Sequence, residues 1–322
     1  MTARPLISIA LATYNGERYL REQLDSIFAQ TYDYLEVVAV DDGSSDRTVE
    51  ILHEYAKTQR LVVHQNPENL GFLKNFERAI SLCNGDAIAL SDQDDIWLPD
   101  KLETLVPMLE ENLLVYSDAE LVDGDGLPLH QTIRDLHELQ FVRGHCPRAF
   151  VFFECASGNT MLFRSDLKEF IFPIPDGFPY HDIWISFVAA CRGRVDFVER
   201  PLLRYRRHGE NISQRYERSP ILAVEQWSDR REKLLQRFRA LLRCPTIGAN
   251  DRDFLETLIR RLERYRTTFF GFRLFWFLCK HHKEISPIKP EIGRIHRAWT
   301  LAKGLRLQRL LFRISRRLRG RR

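Results

Sequence analysis

Residues 35–46 read LEVVAVDDGSSD, in which an apolar run with three valines passes directly into a turn of aspartate, glycine and serine. This is the pattern of a buried strand that ends in a polar loop. The first 120 residues repeat it, with strands predicted at 6–12, 35–40, 61–64 and 87–90 and helices at 19–30, 48–58 and 69–81. The alternation predicts an α/β fold with a parallel sheet. Three of the four strands end in polar or acidic clusters, at the edge where such sheets bind ligands.

The pattern changes after residue 114. We predict strands at 114–116, 149–153 and 161–163, a helix at 182–191, and a pair of strands at 195–206 around Pro201. From about residue 217 the sequence is charged and helical, with helices expected at 221–242 and 251–268. We therefore predict a boundary near 217 between a domain of residues 1–217 and a helical region of residues 218–322.

Charge is distributed unevenly along the chain. Its 322 residues include 48 Lys and Arg against 44 Asp and Glu, a formal net charge of +4. Residues 294–322 hold eleven of the basic residues and no acidic one, so the rest of the chain carries a net charge of −7. With 44% hydrophobic and 29% charged residues, the composition excludes disordered, collagen-like and coiled-coil classes. The sequence predicts a globular acidic body with a cationic end.

Cysteine spacing and hydropathy indicate the compartment. The six cysteines are far apart and form no CxxC pair, which favours a reducing, cytosolic setting. The apolar run 6–12 is short for a signal peptide. The densest apolar run, 269–279, has eleven residues where a bilayer span needs about 20. Any membrane contact is therefore expected from one side.

Three polar clusters at strand ends carry the candidate chemistry. Residues 91–97 read SDQDDIW, and carboxylates at alternate positions after a strand can together hold a hard divalent cation. Asp41 can accept hydrogen bonds from a pyrimidine or a ribose, and Tyr14 can lie against a base. The alternative is that the clusters are solvated turns and helix N-caps. Their shared position at one sheet edge favours a binding site.

Four motifs, in this order, resemble those of one enzyme family. They are SIALATYN at 8–15, VAVDDGSSD at 38–46, NLGFLKN at 69–75 and DQDD at 92–95. Residues 5–215 thereby resemble inverting glycosyltransferase family 2 with the GT-A fold, and SDQDDIW with HDIW at 181–184 is most similar to its rhamnosyltransferase-like branch. The resemblance implies a Rossmann-like mixed, mostly parallel sheet flanked by helices in the nucleotide-sugar transferase domain, followed by a C-terminal helical extension.

The resemblance also implies roles for residues on the donor side. Those assigned to the nucleoside and the donor are Thr13, Tyr14, Asn15, Glu17, Asp41, Lys74 and Asp92. Asp94 is implied to hold a divalent cation, Mg²⁺ or Mn²⁺, that bridges the donor diphosphate, and Asp95 is its neighbouring support. Such an ion acts as a Lewis acid on the leaving group.

The catalytic base is implied by the motif at 181–184. Asp182, at the start of a predicted helix, matches the family's carboxylate that takes the proton of the acceptor hydroxyl. The alternative is that Asp182 only caps this helix. His181 departs from the acidic residue that the family usually has before the base.

Two loops complete the implied site. Gly158 and Asn159 match a small-residue loop that lines the donor and acceptor cleft, where glycine allows a close backbone approach. Residues 204–213 match a closing loop. Its arginine, Arg204, is implied to reach the diphosphate, and its histidine, His208, to reach the metal.

The cationic end has the pattern of an amphipathic helix over residues 295–318. One face carries Leu307, Leu310, Leu311, Ile314 and Leu318, and the adjacent face carries Arg306, Arg309, Arg313, Arg316 and Arg317. Such a helix can lie on an anionic leaflet, with the aromatic run 269–277 inserted beside it. The alternative is that both segments pack on the body and leave the arginines in solvent.

The resemblance implies a metal-dependent inverting transfer of L-rhamnose from dTDP-rhamnose to a hydroxyl of a lipid-linked glycan. The setting would be the synthesis of a bacterial surface polysaccharide (O-antigen, capsule or exopolysaccharide), with the protein held peripherally at the inner face of the plasma membrane. Another donor, such as a UDP-sugar, stays open, as does the oligomeric state. More remote alternatives are a nucleotidyltransferase and a nucleic-acid-binding module. Acidic clusters repel a phosphate backbone, so no nucleic-acid partner is expected.

Overall fold

The computed structural model describes residues 4–152, 156–176, 178, 180–209, 224–264, 269–285 and 291–303. Within these residues the chain forms a mixed sheet with helices on both faces, and the predicted α/β class is confirmed. One hydrophobic cluster lies on each side of the sheet. In the described part of the chain, no helix combines the length and apolar character needed to cross a membrane.

Four parallel strands form the first half of the sheet. They are β1 (Ile7–Thr13), β2 (Leu35–Asp41), β3 (Leu61–Gln65) and β4 (Ala87–Ser91), in the spatial order β3-β2-β1-β4. Because β1 pairs with both β2 and β4, Thr13 lies opposite Asp41 and Leu11 lies opposite Ser91. This register brings the polar loops after β1, β2 and β4 to one edge, as the sequence predicted.

Three helices connect these strands: α1 (Leu20–Phe28), α2 (Thr48–Ala56) and α3 (Phe72–Leu82). α3 begins three residues later than predicted. Gly71, at φ 83°, precedes it in the left-handed region, where glycine is tolerated without steric cost. The backbone N–H groups of Leu70 and Gly71 donate to the Asp42 carboxylate, so residues 69–71 form a loop rather than a helical turn.

The second half of the sheet is mixed. It contains β5 (Ile96–Trp97), β6 (Leu114–Val122), β7 (Pro128–Thr132), β8 (Met161–Arg164) and β9 (Val195–Arg206). The full order is β3-β2-β1-β4-β8-β6-β9-β5, and β7 pairs with the outer part of β6. β8 is antiparallel to β4 and β6, whereas β9 is parallel to β6 and antiparallel to β5. The end of β9 thereby reaches the acidic loop after β4.

Two strand predictions in this half were wrong. Pro147–Phe150 forms a 3₁₀ turn, and its apolar neighbours pack on the C-terminal helices, with the rings of Phe152 and Phe238 5.1 Å apart; Phe153 lies outside the described residues. Residues 195–206 form one strand rather than two. Its register with β6 shifts at Pro201, which has no N–H for the ladder, but the strand continues beyond it.

The remaining helices fall into two groups. α4 (Lys101–Leu105), α5 (Ile133–Leu136), α6 (Lys168–Ile171) and α7 (His181–Arg192) belong to the sheet domain. The C-terminal region contains α8 (Val224–Leu241), α9 (Ala249–Arg264), α10 (Phe272–Lys280), α11 (His282–Ile285) and α12 (Glu291–Ala302). Its buried side chains share one hydrophobic cluster with α3 and α7. The predicted boundary near 217 lies outside the described residues.

Candidate functional site

The loops after β1 and β2 are tied together by the Asp41 carboxylate. Asp41 is buried, and its two oxygens accept hydrogen bonds from the Thr13 hydroxyl, the backbone N–H groups of Gly43 and Ser44, and the Ser44 hydroxyl. A ligand that bonds to Asp41 would therefore have to share or replace one of these contacts. The structure places Thr13 and Asp41 together at the predicted edge.

Residues 14–17 extend this network. The Asn15 side chain accepts from the Ser45 backbone N–H, and the Glu17 carboxylate accepts from the Arg47 backbone N–H, just before α2. Both side chains therefore shape the loops in this structure. Tyr14, in contrast, has 48% of its surface exposed. It lies beside residues 92–97, the segment after β4 that we call the acidic loop.

Gln93 joins the loop after β1 to the loop after β4. Its amide accepts from the Tyr14 N–H at 2.8 Å and donates to the Tyr14 carbonyl at 2.9 Å. A Cβ on Gly16 would lie 2.2 Å from the Gln93 amide oxygen, so any larger residue at position 16 would displace the Gln93 side chain. Gln93 thus holds the loop after β1 and the acidic loop at a defined separation.

Asp42 has a structural role that the sequence interpretation did not assign. It is buried, and its carboxylate accepts from the Asn66 amide and from the backbone N–H groups of Leu70 and Gly71. The two adjacent aspartates therefore have different roles. Asp41 accepts hydrogen bonds from the loop that follows it, and Asp42 accepts them from the loop before α3. The sequence did contain a signal for this difference. Successive side chains of a strand point to opposite faces of the sheet, so neighbouring aspartates are expected to have different partners.

The acidic loop concentrates negative charge. Desolvation raises the pKa of Asp92 well above its ordinary value, and the charges of Asp95 and Asp94 raise it further. Asp182 adds to the same effect, so the predicted base lies within electrostatic range of the predicted donor side. Burial and then the charge of Asp94 raise the pKa of Asp95 to about 7. Such a cluster favours a bound cation, because like charges at short range destabilise one another.

Asp94 and His208 meet, although 114 positions separate them in sequence. The His208 Nε2 atom lies 2.8 Å from the Asp94 Oδ2 atom, and the His208 ring packs 4.8 Å from the ring of Tyr19. In the described residues no group of three or more His, Cys, Asp or Glu side chains is placed to hold a metal. A carboxylate and an imidazole are both ligand types for divalent cations, so these two side chains would supply two of the ligands if such an ion were bound.

A short turn, residues 157–160, connects the acidic loop to Asp182. The buried side-chain amide of Asn159 donates to the Asp95 carboxylate, and the main-chain carbonyl of Asn159 accepts from the Lys101 ammonium. The Gly158 N–H donates to the Asp182 carboxylate at 3.2 Å. Asn159 therefore bonds to the predicted metal side, and Gly158 bonds to the predicted base.

Asp182 and His181 begin α7 and are both buried. The Asp182 carboxylate also accepts from the Ile183 N–H, which fixes its orientation. Neither ring nitrogen of His181 has a hydrogen-bond partner among the described residues, and burial lowers the pKa of this imidazole. A Cβ on Gly158 would lie 2.8 Å from His181 Nε2, so the close approach at Gly158 is made by the His181 ring.

Lys101 and Arg206 were not predicted but contact the same loop. Lys101 is buried, its ammonium lies 3.5 Å from the centre of the Trp97 ring, and burial lowers its pKa to about 7. Its position one turn before Leu105, on the same face of α4, was the signal for burial. The Arg206 backbone N–H donates to Asp95, and its guanidinium donates to the Asp94 carbonyl. Arg206 lies within the predicted closing loop, but the sequence did not indicate these contacts, since its partners lie far away in the chain.

Two predicted donor-side residues have partners outside the acidic loop. Lys74 forms an ion pair with Glu77, one turn along α3, at 2.7 Å. Arg204 lies on β9 with its guanidinium 3.4 Å from the Glu120 carboxylate. The end of the predicted closing loop, residues 210–213, lies outside the described residues.

A cavity of about 680 Å³ lies elsewhere, between residues 142–149 and the start of α9. Arg148 crosses it, with ion pairs to Asp251 and Glu284. None of the predicted site residues is among its described lining residues. It belongs to the junction between the sheet domain and the C-terminal helices.

Comparison with known sequences identifies relatives of this site-bearing domain. A model of glycosyl transferase family 2 matches residues 8–171. An uncharacterized glycosyltransferase of Haemophilus influenzae is 27% identical over 226 residues, which cover 66% of this chain and 68% of the relative. EpsH of Bacillus subtilis, provisionally named a glycosyltransferase, is 30% identical over 223 residues, which cover 66% of this chain and 64% of EpsH. TuaG of the same organism, provisionally named a glycosyltransferase of teichuronic acid biosynthesis, is 31% identical over 141 residues, which cover 43% of this chain and 56% of TuaG.

Two solved structures share the architecture. S. aureus TarS 1–349 in complex with UDP-GlcNAc has a TM-score of 0.59 at 20% identity, covering 92% of this chain and 88% of that one. The mannosyltransferase PcManGT from Pyrobaculum calidifontis, in complex with GDP-Man and Mn²⁺, has a TM-score of 0.53 at 18% identity. The match covers 98% of this chain and 80% of PcManGT. At these identities the likeness bears on the fold alone. The family model, in contrast, spans half of the chain and includes the loops after β1, β2 and β4. The chain therefore belongs to glycosyl transferase family 2 and is a glycosyltransferase.

Proposed function

We propose that this enzyme transfers a sugar with inversion from a nucleotide-sugar donor to an acceptor hydroxyl, with Asp182 as the base. The observation that carries the proposal is the turn 157–160, whose Asn159 bonds to Asp95 and whose Gly158 bonds to Asp182. One rigid element thus connects the side that would hold the donor to the side that would activate the acceptor. Such preorganisation is what a displacement between two bound substrates requires.

The proposed chemistry uses the carboxylate of Asp182 as a proton acceptor. The acceptor oxygen attacks the anomeric carbon, its proton passes to Asp182, and the bond between the sugar and the nucleoside diphosphate breaks. The hydrogen bonds from Gly158 and Ile183 orient this carboxylate. Capping of α7 is compatible with the same role.

For the donor side we propose a divalent cation, Mg²⁺ or Mn²⁺, held by Asp94 and His208 with Asp95 in support. Their contact at 2.8 Å at the end of the acidic loop supports this assignment, and the mannosyltransferase of similar fold was solved with Mn²⁺. When bound, such an ion neutralises charge on the leaving diphosphate. Arg206 positions the loop through its contacts with Asp94 and Asp95.

For the donor we propose dTDP-L-rhamnose, which rests on the resemblance of SDQDDIW and HDIW to the rhamnosyltransferase-like branch. The exposed ring of Tyr14 would lie against the base, and Asp92 would face the ribose or sugar. A UDP-sugar is the second candidate, because TarS, of similar fold, was solved with UDP-GlcNAc.

For the acceptor we propose a lipid-linked glycan of a bacterial surface polysaccharide, at the inner face of the plasma membrane. The provisional name of TuaG, from teichuronic acid biosynthesis, supports a polysaccharide setting. The eleven basic residues in 294–322 support an anionic surface as the place of reaction. Residues 304–322 lie outside the described residues.

A turnover assay with a panel of nucleotide sugars and Mg²⁺ or Mn²⁺ tests this proposal. We expect Asp182→Asn to lower the transfer rate by about 10²–10⁴-fold, because the base is lost while the shape is kept. Asp118→Asn is the matched control, since Asp118 is also buried and accepts from the backbone N–H groups of Ala119 and Arg134. Unchanged turnover in Asp182→Asn would rule out Asp182 as the base, and metal-independent turnover would rule out the cation.

A further inference from the structure

The C-terminal helices present large apolar side chains to solvent. On and beside α10 and α12, five such residues have exposed fractions between 41% and 70%: Phe269, Phe272, Trp276, Ile295 and Trp299. Burying apolar surface is the main favourable term in folding and association, so exposure on this scale marks an interaction surface. We call these five residues the aromatic face.

The five side chains lie on adjoining helices. Phe272 and Trp276 are one turn apart on α10, and Ile295 and Trp299 are one turn apart on α12. The two helices meet at a hydrogen bond from the Gly271 N–H to the Ala302 carbonyl, 2.8 Å long. Phe270 bridges them, with its ring 4.8 Å from Phe272 and 6.5 Å from Trp299.

Other side chains of these two helices pack against the rest of the protein. Leu274 and Leu278 of α10, and Ala298 and Ala302 of α12, are buried in the body of the protein. These buried side chains attach both helices to the body of the protein and so hold the aromatic face in place.

Cations border the aromatic face. Arg273 and Lys280 are exposed on α10, which has no acidic residue, and the Lys303 ammonium lies 3.6 Å from the centre of the Trp299 ring. After Lys303 the chain continues into residues 304–322, which contain eight arginines and no acidic residue. A rigid aromatic surface next to a dense positive charge matches the apolar interior and anionic headgroups of a lipid leaflet.

We propose that the aromatic face inserts into the surface of an anionic membrane and docks the enzyme there. The inference deepens the proposed function, because it names the surface that would meet a lipid-linked acceptor, and it rests on that function for the acceptor alone. Tryptophan suits this position, since its ring is apolar and its N–H can bond at the headgroup level. A second copy fits less well, because a two-fold interface on this face would bring Arg273, Lys280 and Lys303 of both copies together.

Co-sedimentation of the full chain with vesicles tests the proposal. We expect binding to vesicles that contain phosphatidylglycerol, weaker binding to phosphatidylcholine alone, and release by salt. The double variant Phe272→Ser/Trp276→Ser should lower the partition coefficient at least about tenfold, because two large apolar side chains no longer insert. The matched control is Val62→Ser/Leu127→Ser, which removes apolar side chains of comparable exposure away from the aromatic face and should bind as the parent does.

Two results would overturn the proposal. One is equal vesicle binding by Phe272→Ser/Trp276→Ser and the parent enzyme. The other is a dimer in analytical ultracentrifugation that the double variant abolishes without any change in vesicle binding, which would assign the face to a second copy. Turnover with a soluble acceptor should be the same in the double variant and the parent, so failure of the transfer assay and failure of the vesicle assay are separate results.

Discussion

His181 and Asp182 are adjacent, yet their surroundings differ. Asp182 accepts hydrogen bonds from two backbone N–H groups, whereas the His181 ring packs on Phe76, 4.1 Å away, with both nitrogens unpartnered among the described residues. Hydrogen bonds fix the orientation of the carboxylate, and the imidazole fills the space against Gly158. The departure from an acidic residue at position 181 therefore replaces a charge with a neutral ring.

This difference predicts a pH effect on stability. Burial lowers the pKa of His181 below its ordinary value of 6.5 in the folded protein, so the unfolded chain binds the proton more readily. The free energy of unfolding should therefore fall as the pH drops below about 6.5. In His181→Phe this loss between pH 7 and pH 5, measured by urea denaturation, should be smaller than in the parent. Replacing the exposed His53 by Gln is the control, and an equal loss in all three proteins would contradict the argument.

At the scale of elements, the turn 157–160 is the connection between distant parts of the site. It precedes β8, which lies antiparallel to β4, and so reaches the acidic loop that follows β4. Lys101, at the start of α4, donates to the main-chain carbonyl of Asn159 in this turn. Burial lowers the pKa of Lys101, and the charges of Asp95 and Asp92 partly counter this effect.

Removing the side chain that makes this connection should uncouple the two sides. In Asn159→Ala the buried Asp95 carboxylate loses a donor, so we expect a loss of about 1–3 kcal/mol in the free energy of unfolding. The transfer rate should fall about tenfold or more, because a small displacement of catalytic groups is costly. Asn112→Ala is the matched control: Asn112 is buried and its amide donates to the Met108 carbonyl. An equal loss of transfer rate in both variants would assign the effect to stability alone.

At the scale of the whole molecule, the C-terminal helices are part of the same core as the transferase domain. α7 carries Asp182 at one end, and its buried side chains share a hydrophobic cluster with α8, α9 and α10. Arg148 adds a polar connection, with ion pairs of 2.7 Å to Asp251 and 2.6 Å to Glu284. The helical extension thus supports the helix that holds the proposed base.

Breaking this connection should weaken the junction. We expect Arg148→Ala to lower the free energy of unfolding by about 2–3 kcal/mol, since two partly buried carboxylates lose a charged partner. Arg164→Ala, which removes only a local pair with Asp166, should cost at most about 1 kcal/mol. Chemical denaturation measures both, and limited proteolysis should cut the C-terminal region faster in Arg148→Ala only. Equal behaviour of the two variants would show that Arg148 does not hold the junction.

The sequence by itself determined the strands β1 to β4, the helices between them and the polar residues at the strand ends. These follow from local patterns, because burial of an apolar run and the polarity of the next turn are properties of neighbouring residues. It also predicted that Asp94, His208, Asn159 and Asp182 belong to one site, through the resemblance of separate motifs. It did not predict the 3₁₀ turn at 147–150, whose apolar residues are buried by helices rather than by the sheet.

Only the tertiary structure decided which of these residues touch. The contact of Asp94 with His208 and that of Asp95 with Asn159 join segments 114 and 64 positions apart. The different partners of Asp41 and Asp42 depend in the same way on loops that approach from other strands. Sheet register and helix packing set these distances, and both are fixed by contacts between residues far apart in the chain.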